Sequence, residues 1–266
     1  MSATTESAFE RATAVAALGD GRWGAEADVG WFATRGPNGG YLAAIVLRAV
    51  AAEIADAARH PRSLTLHYLR PPVAGPLETE VAVERAGRRL TTATARIFQD
   101  GALCIVAVAA LSEDFDGILE YGDPAPEVPP AAAVDPVPQE AALVPIAQRF
   151  EVRPALGERP FSEAGRALTG GWLAFREGAP PADACALAML ADAWIPSPFM
   201  RTAAPFAAPT VDLTIHFRAP DVSAAWPLLV IFRSRHARGG FFEEDGEIWS
   251  ADGRLLAQSR QLGLTL

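Results

Sequence analysis

The segment Leu64–Tyr68, with the sequence LTLHY, is matched by Leu213–Phe217, with the sequence LTIHF, 149 positions further along the chain. A second match pairs Asp100-Gly101 with Asp252-Gly253, 152 positions apart. The two five-residue segments alternate apolar with polar residues and are rich in β-branched or aromatic residues, which predicts a strand in each place. Matches between two parts of one chain indicate a repeated structural unit.

A third match pairs Gly30–Arg35 (GWFATR) with Gly171–Arg176 (GWLAFR), 141 positions apart. The three offsets rise in order along the chain, as small insertions in a duplicated unit would produce. We therefore predict that the 266 residues form two copies of one unit.

The stretch from Asp114 to Glu140 is rich in proline and alanine. Proline lacks an amide donor and fixes its own φ, so this stretch cannot be a helix interior or a central strand. We predict an N-terminal unit over residues 1–113, a linker over 114–146 and a C-terminal unit over 147–266.

Each unit starts with a helical pattern, from Asn38 to about Ala57 and from about Asp183 to Trp194. Asp183 is a plausible N-cap, and the prolines after Trp194 would stop the second helix. The predicted strands that follow are Ser63–Leu69, Leu77–Arg85, Val211–Phe217 and Leu228–Ser234. The two Asp-Gly pairs then predict tight hairpins. A helix followed by an antiparallel meander is an α+β unit.

The composition excludes several classes of protein. A net charge of −9 and a pI near 5.0 argue against a nucleic-acid partner, which requires a basic surface. No apolar run approaches the length of a membrane span, and Met1–Glu10 has no apolar core of a signal peptide. Cys104 and Cys185 lie in apolar runs and predict buried thiols. We expect a cytoplasmic protein.

Three motifs carry a resemblance to a known family. Gly36–Ala44 (GPNGGYLAA), Leu66–Pro71 (LHYLRP) and Leu190–Asp192 (LAD) resemble acyl-CoA thioesterases of the double-hotdog, thioesterase II type. The resemblance extends from about Phe9 to Leu264 and is weakest in the linker. It implies an α+β double hotdog, with two antiparallel sheets each wrapped around a long helix.

The resemblance also implies an activity and a site. The activity is hydrolysis of fatty acyl-CoA to a free acid and CoA, without a metal, a cofactor or a covalent acyl-enzyme. The family's water-activating Asp, Thr and Gln fall on Asp192, Thr210 and Gln261. The family often has His-Gly-Gly before its first helix, where this chain has Asn38-Gly39-Gly40. The expected partner is an acyl-CoA substrate, and a homo-oligomer is allowed.

Asp192 stands out without the family. It is the only charged side chain from Ala184 to Ile195, so we expect it on a buried helix, in the last turn. Burial and the helix dipole both disfavour its charge there, which would raise its pKa and suit a general base. The alternative is a structural carboxylate paired with an arginine such as Arg201, and the residues alone leave these two interpretations about even.

Thr210 and Gln261 carry weaker signals. Thr210 alone is typical of an ordinary β-former at the start of a strand. Gln258 and Gln261 differ by an odd number and should therefore face opposite sides of the last strand. One glutamine would face the interior, where it could bind an ordered water. The other interpretation is an exposed pair disturbed by a bulge at Gly263.

Asn38, Gly39 and Gly40 precede the first long helix. Backbone amides at a helix N-terminus bind anions, so these residues could hold substrate and stabilise the oxyanion. A plain lead-in loop explains them about as well.

The repeat adds a test. At the offsets found above, Gln261 maps to Ala109 and Thr210 maps to Pro61, and Asp192 maps to a segment without a carboxylate. The first copy lacks the polar set, so we predict one catalytic set per chain. A protein that binds acyl-thioesters without hydrolysing them is the rival. A hotdog hydratase would need His five residues after the Asp, where this chain has Ser197.

Overall fold

The computed structural model describes residues 6–219 and 225–266. Its α-helices are α1 (Ala8–Ala12), α2 (Gly39–Ile54), α3 (Pro145–Gln148) and α4 (Ala184–Leu190). The strands of the first half are β1 (Ala16–Gly19), β2 (Arg22–Ala27), β3 (His60–Tyr68), β4 (Gly75–Ala86), β5 (Thr91–Gln99) and β6 (Ala102–Ser112). Those of the second half are β7 (Phe150–Gly157), β8 (Ala167–Phe175), β9 (Thr210–Phe217), β10 (Leu228–Ser234), β11 (Ala237–Arg238), β12 (Phe241–Trp249) and β13 (Leu255–Leu264).

The strands form one continuous antiparallel sheet. Their order is β1-β2-β4-β5-β6-β3-β9-β13-β12-β10-β8-β7, and β11 pairs with β12. The α+β class is confirmed, and the two expected sheets are joined edge to edge into one; of the two expected long helices only α2 is long, because α4 has seven residues. The two halves share one sheet because β3 pairs with β9 and leaves neither strand with an open edge.

The β3–β9 pair is nearly symmetric. Thr65 lies opposite Thr214, the residue 149 positions later, and their hydroxyl oxygens are 3.1 Å apart. On either side of this pair Leu64 faces Ile215 and Leu66 faces Leu213. The strand repeat predicted from LTLHY and LTIHF is therefore confirmed, and it forms the seam between the halves.

The two predicted hairpins are also confirmed. Asp100 and Gly101 have φ values of 50° and 75° between β5 and β6, the left-handed conformation of a tight hairpin turn. The turn containing Gly253 joins β12 to β13. Each hairpin has a register shift at a matching place, after Ile97 in β5 and after Ile248 in β12.

The third sequence match was wrong. Gly30 belongs to a 3₁₀-helix, Val29–Trp31, whereas Gly171 lies inside β8. The two segments therefore occupy different elements.

The first long helix is confirmed. Asn38 caps α2, and its side-chain oxygen accepts from the Tyr41 amide at 3.1 Å. The helix is buried along nearly its whole length and packs against β3, β4, β5 and β6. This helix accounts for much of the apolar core.

The second helix is shorter than predicted. Asp183 caps it, accepting from the Ala186 amide at 2.9 Å, but α4 ends at Leu190. The amides of Asp192 and Ala193 make long hydrogen bonds to Met189 and Leu190, at 3.3 and 3.4 Å, in a closing turn. Both the carboxylate and the carbonyl of Asp192 are bound to α2 and its cap, which draws the chain away from the helix axis.

Helices α2 and α4 are in close contact at Gly40. A β-carbon on Gly40 would lie 2.5 Å from the carbonyl oxygen of Met189 and 2.7 Å from that of Ala188. Only glycine permits this approach of α4 to the first turn of α2. The contact places the end of α4 beside the start of α2.

The proline-rich segment lies against the outer face of the second half. The Trp172 indole donates to the carbonyl of Pro129 at 2.9 Å. Val128 and Ala131 pack on an apolar cluster of Trp172, Leu229, Ile231 and Trp249. Between Asp114 and Glu140 the described chain has no strand, as its proline content predicts.

Candidate active site

The carboxylate of Asp192 lies at the N-terminus of α2. Its Oδ2 atom accepts from the Gly39 amide at 2.9 Å, the Gly40 amide at 3.3 Å and Asn38 Nδ2 at 2.9 Å. Asn38 Nδ2 also donates to the Asp192 carbonyl at 2.7 Å. Within residues 6–219 and 225–266 no group donates to Oδ1, and no arginine pairs with this carboxylate.

These hydrogen bonds change the roles expected for Asp192 and for the glycines at the start of α2. The Gly39 and Gly40 amides, which we expected to face an oxyanion, donate to Asp192 instead. Asp192 sits at the unfavourable end of α4, but its charge meets the favourable end of α2.

Burial raises the pKa of Asp192 to about 6, against the lowering effect of the hydrogen bonds from Gly39, Gly40 and Asn38. The residue keeps some contact with solvent. A carboxylate with a pKa near 6 is ionised at neutral pH and is a much better proton acceptor than an ordinary aspartate.

Thr210 and Gln261 lie together in a second group. The Thr210 hydroxyl donates to Gln261 Oε1 at 2.9 Å. Gln261 is 7% exposed, and Gln258 lies on the other face, where its Oε1 accepts from Arg218. The expectation that the two glutamines face opposite sides of β13 is confirmed.

Glu244 extends this second group and was missed in the sequence. Gln261 Nε2 donates to Glu244 Oε1 at 2.7 Å, and Glu244 is 3% exposed. Strand alternation could have found it, because Glu244 shares the inward face of β12 with Phe242 and Ile248.

The segment after α4 connects the two groups. The Ser197 amide donates to Glu244 Oε2 at 2.5 Å, and Ser197 follows Asp192 by five residues. Burial raises the pKa of Glu244 to about 7, and the negative charge of Asp192 adds to the increase. No described hydrogen bond joins Asp192 directly to Thr210 or Gln261.

Tyr68 is a further residue of the site that the sequence did not single out. Its hydroxyl donates to the Gly39 carbonyl at 2.9 Å. Burial, together with the charge of Asp192, raises the pKa of Tyr68 well above its usual value, so it stays neutral. A β-carbon on Gly39 would lie 2.9 Å from both the Tyr68 hydroxyl and Asp192 Oδ2, so the two side chains meet at this glycine.

Among its described residues the first half has no counterpart of the hydrogen-bonded group formed by Thr210, Gln261 and Glu244. Glu244 pairs with Gln261 across β12 and β13, and the matching pair across β5 and β6 is Ala93 with Ala109. Pro61 occupies the position of Thr210. The asymmetry inferred from the sequence thus extends to Glu244.

Comparisons with known proteins agree with this fold. The family model for the N-terminal domain of acyl-CoA thioesterases matches residues 27–112, and the model for the C-terminal domain matches residues 125–265. No curated protein sequence matches the chain.

Solved structures are similar over nearly the whole chain. A conserved Alicyclobacillus acidocaldarius protein of unknown function with a hot dog fold is 28% identical, with a TM-score of 0.88 over 97% of this chain and 98% of that one. A Thermobifida fusca protein assigned as a thioesterase II is 28% identical, with a TM-score of 0.86 over 98% of both chains. An acyl-CoA thioesterase II, TesB2, from Mycobacterium marinum is 22% identical, with a TM-score of 0.78 over 97% and 98%, and supports the fold.

The repeated α+β architecture and the two family matches define an enzyme that hydrolyses thioesters. This chain belongs to the acyl-CoA thioesterase family. No helix in the described part of the chain is long and apolar enough to cross a membrane.

Proposed function

We propose that this protein hydrolyses fatty acyl-CoA to a free fatty acid and CoA, with Asp192, Thr210 and Gln261 activating a water molecule. The observation that carries the proposal is the state of the Asp192 carboxylate. Three donors hold Oδ2, while Oδ1 has no donor among the described residues. A fixed base with one free oxygen and a pKa of about 6 suits proton removal from water.

Thr210 complements this base. Its hydroxyl hydrogen is used in the bond to Gln261 Oε1, so its oxygen can accept a hydrogen bond from water. A water that donates to Asp192 Oδ1 and to Thr210 Oγ1 has both hydrogens engaged. Its lone pair then faces the carbonyl carbon of the thioester.

The reaction is balanced with respect to protons. Water loses a proton to Asp192 as its oxygen bonds to the carbonyl carbon. The tetrahedral intermediate collapses as the C–S bond breaks, and the thiol of CoA leaves with the proton that Asp192 took. The positive end of the α2 dipole stabilises the ionised form of Asp192 that takes the proton.

The substrate-binding role of Asn38, Gly39 and Gly40 is indirect. These residues hold the Asp192 carboxylate, and the thioester is placed against that carboxylate. Their donors keep Oδ2 engaged, so that Oδ1 is the oxygen left for the water. Asn38 occupies the position where the family often has histidine, and here it binds both the side chain and the carbonyl of Asp192.

We further propose that the halves, residues 1–113 and 147–266, are two hotdog units joined by the 114–146 linker. The symmetric β3–β9 seam and the two family matches support two units, and the C-terminal match, residues 125–265, includes the second part of this linker. The acidic composition and the absence of a membrane-spanning helix in the described residues are in line with a cytoplasmic enzyme of lipid metabolism.

The test is release of free thiol from a panel of fatty acyl-CoAs of increasing chain length. Asp192→Asn should lose about 10²- to 10⁴-fold in kcat, the usual contribution of a general base. Asp212→Asn is the matched control, because Asp212 lies in β9 beside Thr210, opposite His67 of β3, and should keep full activity.

Equal turnover by the wild type and Asp192→Asn would refute the assignment of the base. A wild type that binds acyl-CoA with no turnover would identify an acyl-thioester-binding protein instead. Hydration of an enoyl-CoA without thiol release would indicate a hydratase.

A further inference from the structure

The Glu244 carboxylate is held in the protein interior by two donors. Its Oε2 accepts from the Ser197 amide and its Oε1 accepts from Gln261 Nε2. Glu244 is not among the predicted catalytic residues. It is nevertheless hydrogen-bonded to Gln261, which is hydrogen-bonded to Thr210, so the three side chains form one continuous series of hydrogen bonds.

The Glu244 carboxylate fixes the direction of each hydrogen bond in this series. A glutamine amide can point either way, with its nitrogen and oxygen exchanged. Above about pH 7, the range in which the variants are compared, Glu244 is ionised and only accepts, so it requires the nitrogen of Gln261 to face it. Gln261 Oε1 must then face Thr210, and the Thr210 hydroxyl must donate to it.

The sheet does not need Glu244 for its own formation. The equivalent pair in the first half, Ala93 and Ala109, is buried and occupies the same place in the same hairpin without any polar group. A buried carboxylate is costly unless its bonds serve another purpose. A residue that is unfavourable locally and absent from the sister unit is a candidate for function.

We propose that Glu244 is a positioning residue for hydrolysis, and that it acts by holding the Gln261 amide in the orientation that makes Thr210 a donor to Gln261. This inference rests on the proposed function. It adds that the way in which the Thr210 hydroxyl binds water depends on Glu244, which is two hydrogen bonds away.

The substitution Glu244→Gln tests the direction of the chain. The introduced amide would accept from the Ser197 amide through its oxygen and would present its nitrogen to Gln261. Gln261 would turn over, and Thr210 would then accept from the Gln261 nitrogen. Only one lone pair of the Thr210 oxygen would be left for water, and its hydroxyl hydrogen would point towards the water. We expect kcat to fall about 10- to 100-fold, the range for one well-placed hydrogen bond, with KM within about twofold.

Glu244→Asp separates positioning from packing. Aspartate is shorter but accepts only, so it preserves the orientation of Gln261, whereas glutamine preserves the shape and reverses the orientation. The proposal predicts that Glu244→Asp retains more kcat than Glu244→Gln. A role in packing alone predicts the opposite order.

The experiment measures kcat, KM and the midpoint of urea unfolding for both variants, with Glu243→Gln as a control from the opposite face of β12. A second arm adds Glu244→Gln to Gln261→Ala, at enzyme concentrations high enough to follow slow turnover. Because Glu244 acts through Gln261, the added substitution should change kcat by less than about twofold there.

The proposal is overturned if Glu244→Gln keeps wild-type kcat, if Glu244→Asp is the more damaged of the two, or if the loss persists in the Gln261→Ala background. These results are distinct from failure of the proposed function, in which the wild type releases no thiol or Asp192→Asn remains active.

Discussion

The raised pKa of Asp192, the proposed general base, makes its carboxylate a source of instability. Its pKa of about 6, against an ordinary 3.8, means that the folded protein holds a proton that the unfolded chain has released. The unfolding free energy therefore falls as pH rises from about 3.8 to about 6 and stays low above that. A shift of about two units corresponds to about 3 kcal/mol.

Asp192→Asn should remove this penalty without removing the hydrogen bonds. The single oxygen of asparagine can take the place of Oδ2 and accept from Asn38, Gly39 and Gly40, while its nitrogen replaces the oxygen that has no donor among the described residues. We expect Asp192→Asn to be more stable than the wild type by up to about 3 kcal/mol at pH 8 and by almost nothing at pH 4.

Urea unfolding at pH 4, 5, 6, 7 and 8, followed by fluorescence of the six tryptophans, measures the difference. The exposed substitution Glu80→Gln controls for the loss of one negative charge. A variant less stable than the wild type at pH 8, or a difference that does not change with pH, would refute this account of the site.

Two further predictions follow from the same geometry. The kcat/KM of the wild type should fall about tenfold for each pH unit below about 6, because protonated Asp192 cannot accept a proton from water; a profile flat down to about pH 4.5 would exclude it as the base. Gly40→Ala should destabilise the fold by about 1–3 kcal/mol in urea unfolding, because its β-carbon would strike the Met189 and Ala188 carbonyls of α4. An unchanged unfolding midpoint would mean that α4 moves aside at no cost.

Features that depend on neighbouring residues were predictable from the sequence. The Asp183 cap and the turn at Asp100 are set by local backbone chemistry, and both are found where the sequence indicates. The match between LTLHY and LTIHF predicted two equivalent strands, which are β3 and β9, but not that these two strands pair with each other.

Features that depend on distant residues were not predictable in the same way. The early end of α4 follows from bonds between Asp192 and residues 38–40, which are 152 to 154 positions away in the chain. The same bonds engage the amides that were expected to bind the oxyanion. Glu244, in contrast, is predictable from strand alternation, because it shares the buried face of β12 with Phe242 and Ile248.

The β3–β9 seam has a consequence for how the enzyme diverged. An antiparallel contact in which Thr65 meets its own counterpart Thr214 is the geometry of two identical subunits related by a twofold axis. Two identical subunits would carry two identical sites, whereas joining them in one chain lets each half change independently. Here one half has Thr210, Gln261 and Glu244, and the other has proline and alanine at the same positions.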